Sequence, residues 1–79
     1  MQAEDVAKIL SESLDGCEVT VAGEGNHFQL TVVGEVFEGL SSVKRQQTVY
    51  ACLNSYIADG TIHAITMKTY TPSEWQKAS

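Results

Sequence analysis

The chain has 79 residues, of which 43% are hydrophobic and 19% are charged, a composition typical of a folded domain rather than a disordered segment. This length predicts one domain with a modest core, spanning residues 1–79. The formal net charge of −5 argues against a protein whose main work is to hold nucleic acid, because phosphate contacts require lysine and arginine. No apolar run approaches the ~18 residues of a membrane-spanning helix. The acidic start, Met1 to Asp5, lacks the features of a signal peptide, so we expect a cytoplasmic protein without membrane contact.

The first predicted element is a helix from about Ala3 to Leu14. Apolar side chains recur there at helical spacing. Glu4 and Asp5 in the first turn suit the positive end of the helix dipole. Asp15-Gly16 ends the helix, since glycine readily takes the left-handed conformation of a C-cap.

Two alternating runs follow and predict an antiparallel hairpin. Val19 and Val21 belong to the first run, and the second extends from Phe28 to Val32. The intervening residues 23–26 have the composition of a turn. Phe28 is expected to point inward, so His27 should point to the other face or lie at the turn.

A linker, residues 36–40, leads to a long helical region. We expect Phe37 and Leu40 in the linker to be buried. Ser41 or Ser42 can cap the following helix, which runs for about 17 residues to Ala58. The pattern fits either one helix or two with a bend, and Asp59-Gly60 ends it.

The third strand is predicted from the alternation that begins at His63. Ile65 and Met67 mark its core-facing parity, which His63 shares while lying at the solvent-accessible entrance of the strand. A short helix follows, in which Thr71 can cap, Pro72 fits the first position and Glu74 can reach back to the cap. Trp75 would anchor this helix to the sheet.

These elements predict an α+β fold with a three-stranded mixed sheet and helices packed on one face. The hairpin is antiparallel, and the long helical crossover permits the third strand to join an edge in parallel orientation.

Residues that could carry chemistry are sparse, and a stand-alone enzyme is not expected. The chain contains none of the common motifs for thiol, zinc, phosphate or serine chemistry. Cys17 and Cys52 are interpreted as free thiols, Cys52 as a small buried hydrophobe and Cys17 as partly exposed. His27 fits best as a surface histidine bonded to the turn backbone. His63 is the stronger candidate for a metal ligand, the alternative being a strand-end histidine bonded to a backbone carbonyl.

Two histidines do not complete a four-ligand site. A metal bound by this chain would therefore need ligands from a partner or a second subunit, which predicts a shared site at an interface.

Motifs along nearly the whole chain resemble the BolA family, most closely its IbaG (YrbA-like) branch. They are Gly25-Asn26-His27-Phe28-Gln29, Phe37-Glu38-Gly39-Leu40-Ser41, the run from Val43 to Tyr50, Tyr56-Ile57-Ala58-Asp59, Ile62-His63-Ala64 and the run from Tyr70 to Trp75. The resemblance implies a fold similar to the type II KH domain, ordered αββααβα, with the long helical region split in two.

The same resemblance implies a function. BolA proteins look like partners of monothiol glutaredoxins, with which they hold a bridged 2Fe-2S cluster in iron–sulfur handling, iron sensing and the stress response. His63 matches the family's histidine ligand, while the glutaredoxin cysteine and a glutathione thiolate would supply further ligands. Family members often carry a second ligand where this chain has Glu24, and here His27 takes that role, with Cys17 as the runner-up. We expect the free protein to be a monomer or a weak homodimer.

The alternative implied by the resemblance is a DNA-binding transcriptional regulator that uses the KH-like fold. Lys44 and Arg45, with Lys68, would form the basic patch. The family's Arg-His-Arg is replaced here by Arg45-Gln46-Gln47, and the Gly-x-x-Gly signature of KH domains is absent where it would be needed.

Overall fold

The computed structural model describes residues 1–24 and 27–78. The helices are α1 (Ala3–Ser13), α2 (Ser42–Ala58) and α3 (Pro72–Ala78), and the strands are β1 (Glu18–Glu24), β2 (His27–Val33) and β3 (Ala64–Tyr70). The predicted α+β architecture is confirmed. No helix in the described ranges is long and apolar enough to cross a membrane.

β2 is the central strand of a three-stranded mixed sheet. It pairs antiparallel with β1 and parallel with β3, as predicted. The register places Leu30 between Val21 on β1 and Met67 on β3. Residues 25 and 26 of the expected hairpin turn lie outside the described residues.

The core lies between one face of this sheet and helices α1 and α2. Its most deeply buried members come from every layer of the fold and are Val6, Leu10, Phe28, Leu30, Val32, Phe37, Val49, Leu53 and Ile62. Partly buried side chains of the two edge strands, including Val19, Val21, Ile65 and Met67, complete this face. Phe37 is buried as expected, whereas Leu40 is only half-buried.

The long helical region is one unbroken helix, α2, rather than two. Residues 42–58 contain no glycine or proline, so nothing in the backbone interrupts the hydrogen-bond ladder. Ser41 is the cap, and its Oγ accepts a hydrogen bond from the Lys44 N–H at 3.3 Å. The additional helical element is a short 3-10 turn, Glu35–Phe37, in the preceding linker.

Helix α3 begins with the predicted capping box. The Thr71 hydroxyl accepts from the Glu74 N–H at 3.2 Å, and Glu74 Oε1 accepts from the Thr71 N–H at 2.8 Å. Trp75 packs on Tyr70 at the end of β3, with ring centroids 5.2 Å apart. The expectation that Trp75 anchors this helix to the sheet is confirmed.

Candidate functional site

His63 is exposed and lies in the loop between α2 and β3, one residue before the strand. The prediction that solvent reaches His63 is confirmed, whereas the prediction that it belongs to the strand, with the core-facing parity of Ile65, is wrong. Ile62 is the buried residue, with 1% of its surface exposed, and its N–H bonds to the Tyr56 carbonyl at 3.1 Å. This bond ties the segment to the end of α2. Ile62 is buried although Ala64 and Thr66, which share its parity, are exposed, so the alternation of β3 does not extend to this segment.

The loop that carries His63 is braced by its own backbone and side chains. Asp59 Oδ1 accepts from the Thr61 N–H at 2.9 Å. Hydrogen bonds from the Thr61 side chain and backbone lower the pKa of the Asp59 carboxyl. Gly60 has a φ of +81°, and a Cβ built on it would lie 3.8 Å from His63 Nε2. The imidazole therefore lies close to a constrained turn.

His27 is the first residue of β2, and it is exposed, whereas Phe28 is buried. The parallel register pairs the Cα of His27 with that of Ala64, the neighbour of His63. Both histidines therefore lie at the same end of the sheet, on adjacent segments. His27, Ala64 and Thr66 contribute to a pocket of about 290 Å³ on this surface.

The described part of the chain contains no cluster of three or more His, Cys, Asp or Glu side chains that could hold a metal ion. Among the described side chains, the candidate donors at this end of the sheet are the imidazoles of His27 and His63. A metal group bound there would need further ligands from outside these residues, which fits a shared site rather than a closed one.

Cys17, the alternative ligand, lies far from the two histidines. It precedes Glu18, which pairs with Val33 at the opposite end of β2 from His27. Six strand residues at ~3.3 Å each separate the two ends by roughly 20 Å. Burial, followed by the charge of Asp15, raises the pKa of the Cys17 thiol, which disfavours the thiolate that a metal requires.

Both cysteines are free, as predicted. Cys52 is half-buried rather than fully buried, and its thiol donates to the Thr48 carbonyl at 3.5 Å. Cys17 is half-buried as well.

Arg45 of the candidate basic patch forms an ion pair with Glu74 that the sequence does not predict. Arg45 Nη1 lies 2.7 Å from Glu74 Oε1, and Arg45 Nε donates to the Leu40 carbonyl at 3.0 Å. Lys44 and Lys68 are exposed. The Arg45 guanidinium thus joins α2 to α3, an interaction over 29 positions for which the local pattern carries no signal.

Comparisons with known proteins agree with this architecture. The family model described as BolA-like protein matches residues 3–74. The acid stress protein IbaG of Escherichia coli K12 is 49% identical over 77 residues, which cover 98% of this chain and 92% of that protein.

Two solved structures share the fold along nearly the whole chain. A BolA protein homologue from Coxiella burnetii superposes with a TM-score of 0.85 at 32% identity, covering 96% of this chain and 97% of that one. Yeast Fra2 gives a TM-score of 0.72 at 26% identity, covering 98% and 86%. The family match and the sequence identity together show that this chain belongs to the BolA-like protein family.

Proposed function

We propose that this protein is a non-enzymatic partner of a monothiol glutaredoxin, with which it shares a bridged 2Fe-2S cluster in iron–sulfur handling and iron homeostasis. The observation that carries the proposal is the exposed His63 imidazole on a braced loop, beside His27 and without a complete ligand set in the described chain. A metal site shared between two proteins needs only part of its ligands from each of them, and the two histidines would supply such a part.

His63 would be the ligand from this chain, and His27 the second donor at the same end of the sheet. A glutaredoxin cysteine and a glutathione thiolate would complete the site. The bound cluster would supply a reducible iron pair, and an imidazole ligand in place of a thiolate raises its reduction potential. The chain's own contribution is to hold His63 in place through the Asp59–Thr61 bond and the buried Ile62.

A role in a stress response is supported by the name of the Escherichia coli relative, an acid stress protein. A cytoplasmic location stays a prediction. DNA binding also stays a prediction, and the Arg45–Glu74 ion pair speaks against Arg45 as a phosphate ligand. Specific, steeply salt-dependent binding of duplex DNA would be its signature.

The proposal is tested by visible absorption and circular dichroism of the protein purified anaerobically with a monothiol glutaredoxin and glutathione. We expect a spectrum distinct from that of glutaredoxin alone, lost in His63→Ala and altered in His27→Ala. Cys17→Ser and Cys52→Ser are matched controls that should leave the spectrum unchanged. Far-UV circular dichroism of each variant verifies the fold. If the wild-type mixture shows only the spectrum of the glutaredoxin homodimer, the shared cluster is excluded.

A further inference from the structure

A groove lies at the end of the sheet opposite His63. Two adjoining depressions, of about 410 and 450 Å³, share Glu35 and Pro72 and together form what we term the acidic groove. Its walls are the end of β2, the 3-10 turn and the first turns of α3. The length of β2, roughly 20 Å, separates it from the two histidines.

The groove has an apolar lining that is open to solvent. Val36 and Trp75 are two of the large hydrophobic residues that remain exposed, at 48% and 37% of their surface. Val33 lies beside them and is buried. Trp75 packs on Tyr70, and its remaining surface borders the groove. Exposed apolar side chains gathered in one concavity are typical of a protein interaction site.

The charged side chains that line the two depressions are all acidic. Four carboxylates line the two depressions, those of Asp15, Glu18, Glu35 and Glu38. Among the lining residues that the structure describes there is no lysine or arginine. The nearby Arg45 guanidinium is bonded to Glu74 and also attracts the Glu38 carboxylate, which leaves Asp15, Glu18 and Glu35 as the groove carboxylates remote from it. Lys77 is exposed on the last turn of α3.

We propose that the acidic groove docks a basic, apolar-containing extended segment of a partner protein, with an arginine side chain against Trp75 and Val36. A guanidinium suits this surface because its flat face stacks on an indole while its N–H groups bond carboxylates. A second copy of this chain is disfavoured by the net charge of −5, and so is a nucleic acid. The groove and the His63 loop are far enough apart to be occupied at the same time.

The test is a titration of the isotope-labelled full chain with a synthetic peptide of alternating leucine and arginine, followed by amide NMR shifts. We expect shifts at Gly16, Gly34, Val36 and the Trp75 indole N–H, and none in residues 61–66. A peptide of alternating leucine and glutamate should not bind. The titration contains no glutaredoxin or iron, so its result is independent of the proposed cluster.

Paired variants separate the groove from the overall charge. Glu18→Gln with Glu35→Gln should weaken peptide binding by about tenfold, because two groove carboxylates are lost. Glu4→Gln with Glu12→Gln removes the same charge from exposed positions of α1 and should change affinity by less than about twofold. Equal weakening by both pairs, shifts outside the groove, or no binding at millimolar peptide would each overturn the proposal.

Discussion

Arg45 and Glu74 form a two-bond ion pair between α2 and α3. Arg45 Nη1 and Nη2 lie 2.7 and 3.3 Å from Glu74 Oε1 and Oε2. The Arg45 side chain is only 13% exposed, whereas that of Glu74 is 46% exposed. Glu74 Oε1 also accepts from the Thr71 N–H, so one carboxylate both caps α3 and fastens it to α2.

Replacing Arg45 should loosen α3. Arg45→Met removes both bonds to Glu74 and the bond to the Leu40 carbonyl, and we expect the melting temperature to fall by roughly 4 °C. Lys44→Met is the matched control, because it removes the same charge from the adjacent exposed position. Thermal unfolding measures both. Equal melting temperatures for the two variants would show that the ion pair does not contribute.

The stability of the fold should depend on pH through Glu74. The side-chain bond from Arg45, followed by the backbone bond from Thr71, lowers the pKa of Glu74 from 4.5 to about 2. A pKa lowered in the folded state gives stability that is present above 4.5 and is lost as the pH falls from about 5 towards 2.

We therefore expect wild type to exceed Glu74→Gln in unfolding free energy at pH 6, and the difference to shrink as the pH approaches 2. Urea unfolding of both proteins at a series of pH values measures this difference in unfolding free energy. Glu4→Gln, at an exposed position, serves as the control. A constant difference between wild type and Glu74→Gln across this range would contradict the assignment.

The capping box at the start of α3 is a feature that the sequence predicts correctly. Thr71, Pro72 and Glu74 stand within four positions, so their capping geometry follows from local spacing, and both predicted bonds are present. The bond from Arg45 to the same carboxylate depends on how α2 lies against α3. No local period encodes that contact, so it could not be read from a single sequence.

The turn beside His63 should respond to a methyl group at Gly60. Gly60 and Gly16 have φ values of +81° and +79°, which an L-residue adopts at a cost of about 1 kcal/mol. A Cβ at Gly60 would lie 3.8 Å from His63 Nε2, whereas one at Gly16 meets nothing within 4 Å. We expect Gly60→Ala and Gly16→Ala to destabilise the fold equally.

The imidazole NMR signals of His63 distinguish the two variants. They should shift in Gly60→Ala and stay unchanged in Gly16→Ala. Identical His63 signals in both variants would mean that the turn does not position the ring.

Close packing of Gly34 on Cys17 predicts a compensating pair. A Cβ at Gly34 would collide with Cys17 Sγ, so we expect Gly34→Ala to lower the unfolding free energy by about 1–3 kcal/mol. Cys17→Ala removes the sulfur, and the double variant should recover most of the loss. Urea unfolding of the four proteins gives the coupling energy. Strictly additive effects would argue against this contact.

Stability should depend more on the buried face of α2 than on its exposed face. Leu53 is fully buried, and Leu53→Ala should cost about 2–5 kcal/mol through lost burial and a cavity. Ile57 lies one turn later and is 36% exposed, so Ile57→Ala should cost less. Chemical denaturation measures the loss of unfolding free energy in each of the two variants. A larger loss at Ile57 would mean that the helix faces the core differently.

At the candidate site, the sequence predicts which residue matters, His63, but not its local structure. The sequence identified it as the titratable group of interest, because few such residues compete with it. The alternation from Ile65 predicts a strand that begins at His63, one residue before the observed start of β3. The Ile62 N–H donates to the Tyr56 carbonyl, which holds this segment against the end of α2. Hydrophobic periodicity does not predict a backbone bond of this kind.

The central position of β2 also bears on how the chain folds. β1 and β2 can pair early, since only two residues separate them along the chain, but β3 reaches β2 only after the whole of α2. Until then β2 presents an open edge next to Phe28, Leu30 and Val32, a combination that invites pairing with other chains. A truncated chain that ends within α2 is therefore expected to aggregate, and the pairing of β3 covers this edge of β2 in the complete fold.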